Sequence, residues 1–327
     1  MMTETLVATD KNDGVCPSRA RLKVILASPR GFCAGVVRAI DAVRDALRLY
    51  GAPVYVRRPI VHNLEVVRTL EAEGAIFVEE LEDVPAGAVV LFSAHGVAPA
   101  VAADARRRGL IAFDAVCPLV AKVHREVERH HQDGRPVVLV GHEGHPEIEG
   151  TLGQVPSGSA YVISGAAQIA SLPLRREQPV AYAVQTTYSV DDAASIVRAL
   201  FDHFSDIVGP TSSDICYATT NRQRAVRELA VEADAVIIVG EHFSSNARRL
   251  AEVAAELCPL VQMVAGSSEI DWAALPAHGT VAISAAASTP EASVARVIAG
   301  LRERFDIQVE EHGSVVERTV FRPLPVT

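Results

Sequence analysis

Hydrophobic and polar positions follow one plan in three successive stretches of the chain. Each has an apolar run of strand length, a short loop, a cysteine and a segment of helical periodicity: LKVILASPRGFCAGVVRAIDAVRDAL, LIAFDAVCPLVAKVHREVERHH and IVGPTSSDICYATTNRQRAVRELA. Within the predicted helices, apolar residues recur at steps of three and four on one face. They are Val36, Ile40, Val43 and Leu47, then Val120, Val123 and Val127, then Val226, Leu229 and Ala233. The pattern predicts a threefold internal repeat.

Two more strand candidates follow in each third, and all of them end in polar residues. The first set, APVYVRRPIVHN, PVVLVGHEGHPE and AVIIVGEHFSSN, leads to His62, His145 and Ser244. The second set, AVVLFSAHGVAP, VAYAVQTTYSV and TVAISAAASTP, leads to His95, Thr186 and Ser288. Strands that alternate with helices predict parallel α/β units, which bind ligands at the carboxyl ends of their strands. We therefore expect three α/β units that share one central site.

The repeat predicts domain boundaries near residues 115 and 210. We expect a flexible N-terminal arm over 1–20, three α/β domains over 21–115, 116–210 and 211–305, and a C-terminal strand or tail over 306–327. The segment VVERTVFRPLPVT within that tail alternates apolar and polar positions, which predicts an ordered strand.

Composition and charge exclude several classes of protein. The chain has 327 residues, of which 49% are hydrophobic, and a net charge of -9 from 31 basic and 40 acidic residues. An acidic balance argues against binding to nucleic acid or to an anionic membrane. The N-terminus lacks the apolar core of a signal peptide, and no apolar run reaches the ~20 residues of a membrane span. We expect a cytoplasmic protein.

The five cysteines favour free or metal-binding thiols over disulfides, because they are odd in number and widely spaced. We interpret Cys16 and Cys258 as unremarkable, the first in the arm and the second as a small buried side chain. Cys33, Cys117 and Cys216 instead recur at predicted helix starts, where the helix dipole favours a thiolate. Three thiolates indicate a soft metal centre, either zinc or an iron–sulfur cluster. A cluster with three protein ligands leaves one iron open as a Lewis acid.

The polar loops indicate what such a site would bind. Histidine, serine and asparagine donors near helix starts suit a phosphate or diphosphate, although Ser and Asn also cap helices. Glu147 is the best acid–base candidate because it follows His145 beside the expected metal, whereas Glu143 and Glu149 are interpreted as solvated acids. Thr186 and Thr187 could relay a proton or cap the helix that follows.

Eight motifs, in order, resemble the 4-hydroxy-3-methylbut-2-enyl diphosphate reductase family: PRGFCAGVVRAI, VHN, FSAHGV, DAVCPLVAKVH, GHEGHPEIEGT, QTTYSVDD, DICYATTNRQ and SSNARRL. The resemblance implies a trefoil of three α/β domains, each with a mainly parallel sheet, around one central [4Fe-4S] cluster per subunit. It assigns the cluster to Cys33, Cys117 and Cys216. It also implies a two-electron, two-proton reductive dehydroxylation of the allylic diphosphate, with ferredoxin or flavodoxin as the external electron donor.

The same resemblance assigns the other site residues. The implied catalytic residues are Glu147, which supplies protons, Thr186, its relay, and His145. The implied substrate-binding residues are His62, His95, His145, Thr186, Ser244, Ser245, Asn246 and Ser288. The products are isopentenyl and dimethylallyl diphosphates, formed in the last step of the methylerythritol phosphate route.

Four positions depart from the family pattern, namely Val116, Arg58-Pro59, Phe243 and Ala286. An alanine at 286 would shift its loop if the backbone there requires a positive φ. Three other functions remain open on the residues alone. They are a hydro-lyase with a three-cysteine cluster, a non-enzymatic iron–sulfur sensor and a structural zinc protein.

Overall fold

The computed structural model describes residues 20–313 and 315–327. Cys16 and nearly all of the predicted N-terminal arm lie outside the described residues. The strands, in chain order, are β1 Arg21–Ala27, β2 Val54–Arg57, β3 Ala75–Val78, β4 Val89–Phe92, β5 Ile111–Asp114, β6 Val137–Val140, β7 Ala160–Ile163, β8 Val180–Val184, β9 Ile207–Val208, β10 Ala235–Val239, β11 Val261–Val264, β12 Gly279–Ala285 and β13 Asp306–His312.

Helices follow most of the strands, as the alternating pattern predicts. In chain order they are α1 Ala34–Tyr50, α2 Leu64–Glu73, α3 Pro99–Arg107, α4 Pro118–Gln132, α5 Pro146–Leu152, α6 Val190–His203, α7 Tyr217–Ala230, α8 Ser245–Ala255 and α9 Glu291–Arg304. Several begin at side-chain caps: Asn63 and Ser189, for example, accept from the backbone N–H groups of Val66 and Asp192. Among the described residues, no helix combines the length and the apolar character needed to cross a membrane.

The strands form three sheets, and every strand pair in them is parallel. The first sheet has the order β3-β2-β4-β5, the second β7-β6-β8-β9 and the third β11-β10-β12-β1-β13. In the third sheet Val24 pairs with Val281 on one side and Val309 on the other. The predicted fold class of three parallel α/β units is confirmed.

The first strand does not belong to the unit that its position in the chain suggested. β1 pairs with β12 and β13 of the third sheet, in the place that β5 and β9 occupy in the first and second sheets. The prediction that residues 21–115 form one unit is therefore wrong at β1. Chain order cannot show this exchange, because a strand is equally apolar whichever sheet it joins.

A systematic crossover explains the exchange. The strand before each of the three repeated cysteines completes one sheet, and the helix after that cysteine packs on the next sheet. Helix α1 buries Val36, Ile40 and Val43 against the first sheet. In the same way α4 packs on the second sheet and α7 on the third, through the apolar faces that the sequence predicted. Each cysteine therefore lies where the chain passes between two units.

The C-terminal segment differs from its prediction. The last strand is β13, which ends at His312, and residues 315–327 form no strand. Val316 and Val320 are 78% and 87% exposed, whereas Leu324 packs against the core under α1. Alternating apolar positions indicate a strand only where a neighbouring strand edge is available, and here the segment crosses to the first unit instead.

Candidate active site

The three cysteines reach the centre of the molecule through equivalent backbone contacts. Cys33, Cys117 and Cys216 are the N-cap residues of α1, α4 and α7. Their N–H groups donate to the carbonyls of Ala287, Ala94 and Thr186, at 3.2, 2.9 and 3.1 Å. Those carbonyls lie in the loops after β12, β4 and β8, the equivalent strands of the three sheets. The threefold repeat thus brings three thiols to one place.

Close packing around the thiols requires glycine at position 35. A Cβ there would lie 2.8 Å from Cys117 Sγ and 3.8 Å from Cys33 Sγ. On a third side, Cys216 Sγ lies 3.2 Å from Thr219 Oγ1 and accepts from the Thr219 N–H at 3.4 Å. Gly35 and Thr219 were not among the predicted site residues, although both lie within three positions of a cysteine.

Burial overrides the effect of the helix N-termini on two of the thiols. Burial is the largest cause, and with the charges of the neighbouring cysteines it raises the pKa of Cys117 to about 12 and that of Cys216 to about 11, although hydrogen bonds to both thiols act in the opposite direction. The expectation that helix dipoles favour thiolates is therefore not met by the protein alone. A positively charged metal centre would supply the compensation.

Three histidines form one wall of the same cavity. The ring centroids of His62 and His95 are 4.2 Å apart, and those of His62 and His145 are 5.3 Å apart. Burial lowers the pKa of His62 to about 4 and that of His145 to about 3, and it lowers the pKa of His95 well below its usual value. All three rings are consequently neutral near pH 7.

Hydrogen bonding fixes the proton of one ring. His145 Nδ1 accepts from the Glu147 N–H at 3.1 Å, so the proton of the neutral ring is on Nε2. The Nε2 atoms of His62 and His145 are buried without a hydrogen-bond partner among the described residues. Unpartnered buried polar atoms are rare, and they indicate a missing ligand at this wall.

Serine and asparagine side chains continue this wall from the third unit. Ser244 caps α8 by accepting from the Ala247 N–H. It therefore has the helix-capping role that the sequence left open beside phosphate binding. Asn246 Oδ1 accepts from the Ala287 N–H at 2.8 Å, and its buried Nδ2 has no partner among the described residues. Ser245 is buried, and the Ser288 hydroxyl donates to the His62 carbonyl at 3.0 Å.

Glu147 and Thr186 form a buried pair beside the thiols. The Thr186 N–H and hydroxyl donate to the two carboxylate oxygens, at 2.7 and 2.8 Å. Burial, helped by the charge of Asp214, outweighs the Thr186 hydrogen bonds and raises the pKa of Glu147 to about 7. The carboxyl group can therefore hold or release a proton near neutral pH. Glu143 and Glu149 are exposed, as expected.

All of the sequence-predicted site residues line one cavity, with about 690 Å³ of space between protein atoms, part of it open to solvent. They are Cys33, Cys117, Cys216, His62, His95, His145, Glu147, Thr186, Ser244, Ser245, Asn246 and Ser288. Thr187, Leu119 and Thr219 line it as well. The sequence indicates Thr187 as a relay or a helix cap, and in the structure its hydroxyl accepts from the Gln185 amide at 3.0 Å.

The four unusual positions keep the cavity intact. Phe243 places its ring 5.8 Å from that of His62, and Val116 accepts a hydrogen bond from Arg38 through its carbonyl. Arg58 has a φ of 60° and binds Glu149 of the second unit at 2.6 Å. Ala286 is buried, and its φ is not positive, because Arg58 is the one non-glycine residue of the described ranges with a positive φ. The added methyl therefore causes no backbone strain.

The donor set fits an iron–sulfur cluster better than a single ion. Among the described residues, no group of three or more His, Cys, Asp or Glu side chains converges closely enough to hold one metal ion. The three thiols nevertheless face one cavity and influence one another's pKa. Soft thiols that line one cavity are the ligand type of an iron–sulfur cluster.

Comparison with known proteins agrees with the site. The chain is 52% identical over 309 residues to the 4-hydroxy-3-methylbut-2-enyl diphosphate reductase of Methylocella silvestris, which covers 94% of this chain and 97% of the relative. It is 51% identical over 309 residues to the enzyme of that name from Beijerinckia indica, with the same coverage. These relatives carry the name that the eight motifs suggested.

Solved structures share the whole fold. The E-1-hydroxy-2-methyl-but-2-enyl-4-diphosphate reductase of Plasmodium falciparum superposes with a TM-score of 0.87 at 35% identity, covering 94% of this chain and 96% of that one. A second reductase structure, described as the terminal enzyme of the non-mevalonate pathway, gives a TM-score of 0.62 at 32% identity, covering 86% and 99%. The family model for "LytB protein" matches residues 24–302. Because that match spans most of the chain, the chain belongs to the LytB protein family, as its motifs predicted.

Proposed function

We propose that this chain reduces 4-hydroxy-3-methylbut-2-enyl diphosphate to isopentenyl and dimethylallyl diphosphates, the last step of the non-mevalonate route to isoprenoid precursors. In this reaction a C–O bond breaks, a C–H bond forms, and two electrons and two protons are consumed as water is released. Family membership supports the reaction class. The observation that carries the proposal is the convergence of three thiols, a buried carboxyl group and unpartnered donors in one cavity.

The cavity wall of histidine, serine and asparagine side chains, the donor wall, would bind the diphosphate. Neutral histidines carry N–H donors without a fixed charge. Among the described residues, the Nε2 atoms of His62 and His145 and the Asn246 Nδ2 are buried without a hydrogen-bond partner. His95, Ser244, Ser245, Ser288 and Thr186 line the same cavity. An anion placed there would satisfy these donors and raise the pKa of the histidines, because opposite charge favours the imidazolium form. Arg248, whose charge acts on His62 and His145, adds to the attraction.

Cys33, Cys117 and Cys216 would hold a [4Fe-4S] cluster, one per subunit. When bound, it supplies one-electron transfer and, at the iron without a protein ligand, a Lewis-acid position for the substrate oxygen. The protein's part is to hold the substrate's diphosphate at the donor wall and its hydroxyl end towards the thiols. The closely packed Gly35 keeps Cys33 and Cys117 on the same side of the cavity.

Glu147 is the proton donor in this proposal. Its carboxyl group is buried, so the proton it carries is not exchanged freely with bulk water. The Thr186 hydroxyl donates to that carboxyl group and lines the same cavity, so it serves as the relay, and His145 orients the backbone of Glu147 through its Nδ1 contact. Loss of a proton from Glu147 leaves a carboxylate that already accepts two hydrogen bonds.

The proposal also requires an external electron donor, and we assign that role to ferredoxin or flavodoxin in the cytoplasm. A nucleic-acid or membrane partner is not part of it, since the chain carries a net charge of -9.

Turnover by anaerobically reconstituted protein tests the function. We expect isopentenyl and dimethylallyl diphosphates from the allylic substrate when reduced methyl viologen is present, and none without a reductant. Product formation without a reductant would identify the hydro-lyase alternative, and cluster binding without turnover would identify the sensor. Glu147→Gln is the matched control, because it should retain the iron content and lose the products.

A further inference from the structure

Arg222, on α7, has the largest fully buried side chain among the described residues, and it joins two of the segments that carry the thiols. Its Nε and Nη2 both donate to the Gly31 carbonyl, at 3.1 and 2.7 Å. Its Nη1 donates to the Ala218 carbonyl at 3.0 Å. Gly31 lies two residues before Cys33, and Ala218 lies two residues after Cys216. One buried cation therefore contacts the backbone beside two of the three thiols.

The contact with the Gly31 carbonyl depends on the shape of the guanidinium. Arginine presents its N–H donors in a rigid planar fork, whereas lysine carries one ammonium group on a flexible stem. Gly31 itself has a φ of 63°, and a Cβ there would lie 3.0 Å from the Thr289 carbonyl oxygen, so the loop is closely packed on its other side. The fork therefore holds the loop before Cys33 against the helix that follows Cys216.

A carboxylate of the C-terminal segment balances the buried charge. Glu317 accepts from Arg222 Nη1 at 3.0 Å through Oε1 and from Nη2 at 3.4 Å through Oε2. The Asn221 amide also donates to Glu317 Oε1, at 3.1 Å. The side chains of Arg222 and Glu317 are 1% and 16% exposed, so solvent ions screen their charges little. Glu317 lines the same groove as Cys33, and its charge therefore acts close to that thiol.

The C-terminal segment is also fixed beyond Glu317. Arg38 of α1 donates to the Arg322 carbonyl at 3.0 Å, and Leu324 packs against the core under α1. The segment therefore passes from α7 of the third unit to α1 of the first, across the two helices that begin at Cys216 and Cys33. Contacts at both ends of this passage keep the Glu317 carboxylate beside Arg222.

We propose that Arg222 is a positioning residue of the thiol site and that Glu317 sets how much of its positive charge acts there. The inference rests on the proposed function, because it concerns the cluster that this function requires. Reduction of a cluster adds one negative charge, so a nearby buried cation raises its reduction potential and a nearby carboxylate lowers it. Groups that orient the ligands of a metal centre also tune that centre. The C-terminal segment therefore takes part in setting the potential of a cluster that it does not ligate.

Two charge-neutralising variants should move the reduction potential in opposite directions. Glu317→Gln removes the carboxylate and leaves the Arg222 charge, so the midpoint potential of the reconstituted cluster should become more positive. Arg222→Gln removes the cation and leaves the carboxylate, so the potential should become more negative. Anaerobic redox titration followed by electron paramagnetic resonance measures both shifts. Glu228→Gln is the matched control and should leave the potential unchanged, because Glu228 is 50% exposed and pairs with Arg224 on the same helix at 3.7 Å.

Alkylation of the apoprotein tests the positioning role without a cluster. Arg222→Lys keeps the positive charge and loses the fork, so the loop before Cys33 should open more often. We expect iodoacetamide to modify Cys33 about tenfold faster than in wild type, the order expected for loss of a hydrogen bond to a charged group. Cys258 is 2% exposed in the core of the third unit and reports global unfolding, so its rate should not change.

Several results would overturn the proposal. Potentials that shift in the same direction in the Arg222→Gln and Glu317→Gln variants, or that do not shift, would exclude the charge balance. Equal acceleration at Cys33 and Cys258 in Arg222→Lys, or none at Cys33, would exclude the positioning role. If Arg222→Gln fails to fold, Glu317→Gln decides, and an unchanged or more negative potential overturns the charge balance. Wild-type protein that binds no cluster would instead refute the proposed function, and the alkylation of Cys33 would still decide the positioning role.

Discussion

Thr186 donates two hydrogen bonds to one carboxylate, from its N–H to Glu147 Oε1 at 2.7 Å and from its hydroxyl to Oε2 at 2.8 Å. The two residues are 39 positions apart: Glu147 lies in the first turn of α5, and Thr186 lies in the loop after β8 of the same unit. These bonds favour the ionised form, whereas burial favours the protonated form, and burial has the larger effect. The balance places the pKa of Glu147 at about 7.

The rate should therefore depend on pH through Glu147. The group is protonated below its pKa and donates a proton in the proposed reaction, so kcat should be constant in mild acid and fall as pH rises through about 7. A pH profile of kcat with saturating methyl viologen measures this. A kcat that is flat from pH 6 to 9 would exclude Glu147 as the proton donor.

Thr186→Val should move that alkaline limb to higher pH. In wild type the hydroxyl hydrogen bond lowers the pKa of Glu147. The substitution removes that bond, so the pKa should rise, and it retains the backbone hydrogen bond. Thr186→Ser keeps the hydroxyl and should keep the wild-type limb. If Thr186 is also the relay, the valine variant loses kcat at every pH, by about 10²-fold or more. A limb that moves to lower pH would contradict the hydrogen-bond argument.

Gly35→Ala should impair assembly of the thiol site without unfolding the chain. Alanine is favoured over glycine within a helix by about 1 kcal/mol, but its Cβ would lie 2.8 Å from Cys117 Sγ. We expect fewer iron atoms per chain after reconstitution and a near-wild-type circular dichroism spectrum. Gly165→Ala is the control, because no atom lies within 4 Å of a Cβ at that position. Equal iron content in the two variants would show that the contact is relieved.

Asp214→Asn should lower both stability and the pKa of Glu147. Asp214 is buried, accepts from the Val184 N–H at 2.9 Å and pairs with Lys122 Nζ at 3.1 Å. Loss of its charge should lower the free energy of unfolding by about 2 kcal/mol, the order expected for a buried charged hydrogen bond. Because this charge raises the pKa of Glu147, the alkaline limb should move to lower pH, opposite to Thr186→Val.

Chemical denaturation of Asp214→Asn and of a control variant measures the predicted loss in the free energy of unfolding. Asp206→Asn is the matched control, since Asp206 pairs with Arg135 at 2.8 Å but is 48% exposed. That pair should contribute less than about 1 kcal/mol. Equal losses in the two variants would contradict the assignment of a buried role to Asp214.

Local patterns were sufficient to predict the helices that carry the cysteines. The apolar steps after Cys33, Cys117 and Cys216 define one buried face in each helix, and the structure buries those faces. The polar ends of the central strands also meet as expected, because carboxyl ends of parallel strands lie on one edge. Which of those polar groups bind substrate stays a prediction.

Long-range contacts were beyond such patterns. The pairing of β1 with β12 depends on which apolar edge is free, and apolar runs do not encode that choice. The high pKa of Cys117 depends on burial by distant segments, whereas the sequence showed only its place at a helix start. The contact between Arg58 and Glu149 joins residues 91 positions apart, so no local spacing could indicate it.

The position of β1 has a consequence for how the protein is made. The Gly31 and Cys33 N–H groups bind the carbonyls of Ala285 and Ala287, and β1 lies between β12 and β13. These contacts of Gly31 and Cys33 can therefore form only after Ala287, near the end of the chain, has been synthesised. Whatever the three thiols bind jointly must be inserted after the ribosome has nearly finished the chain.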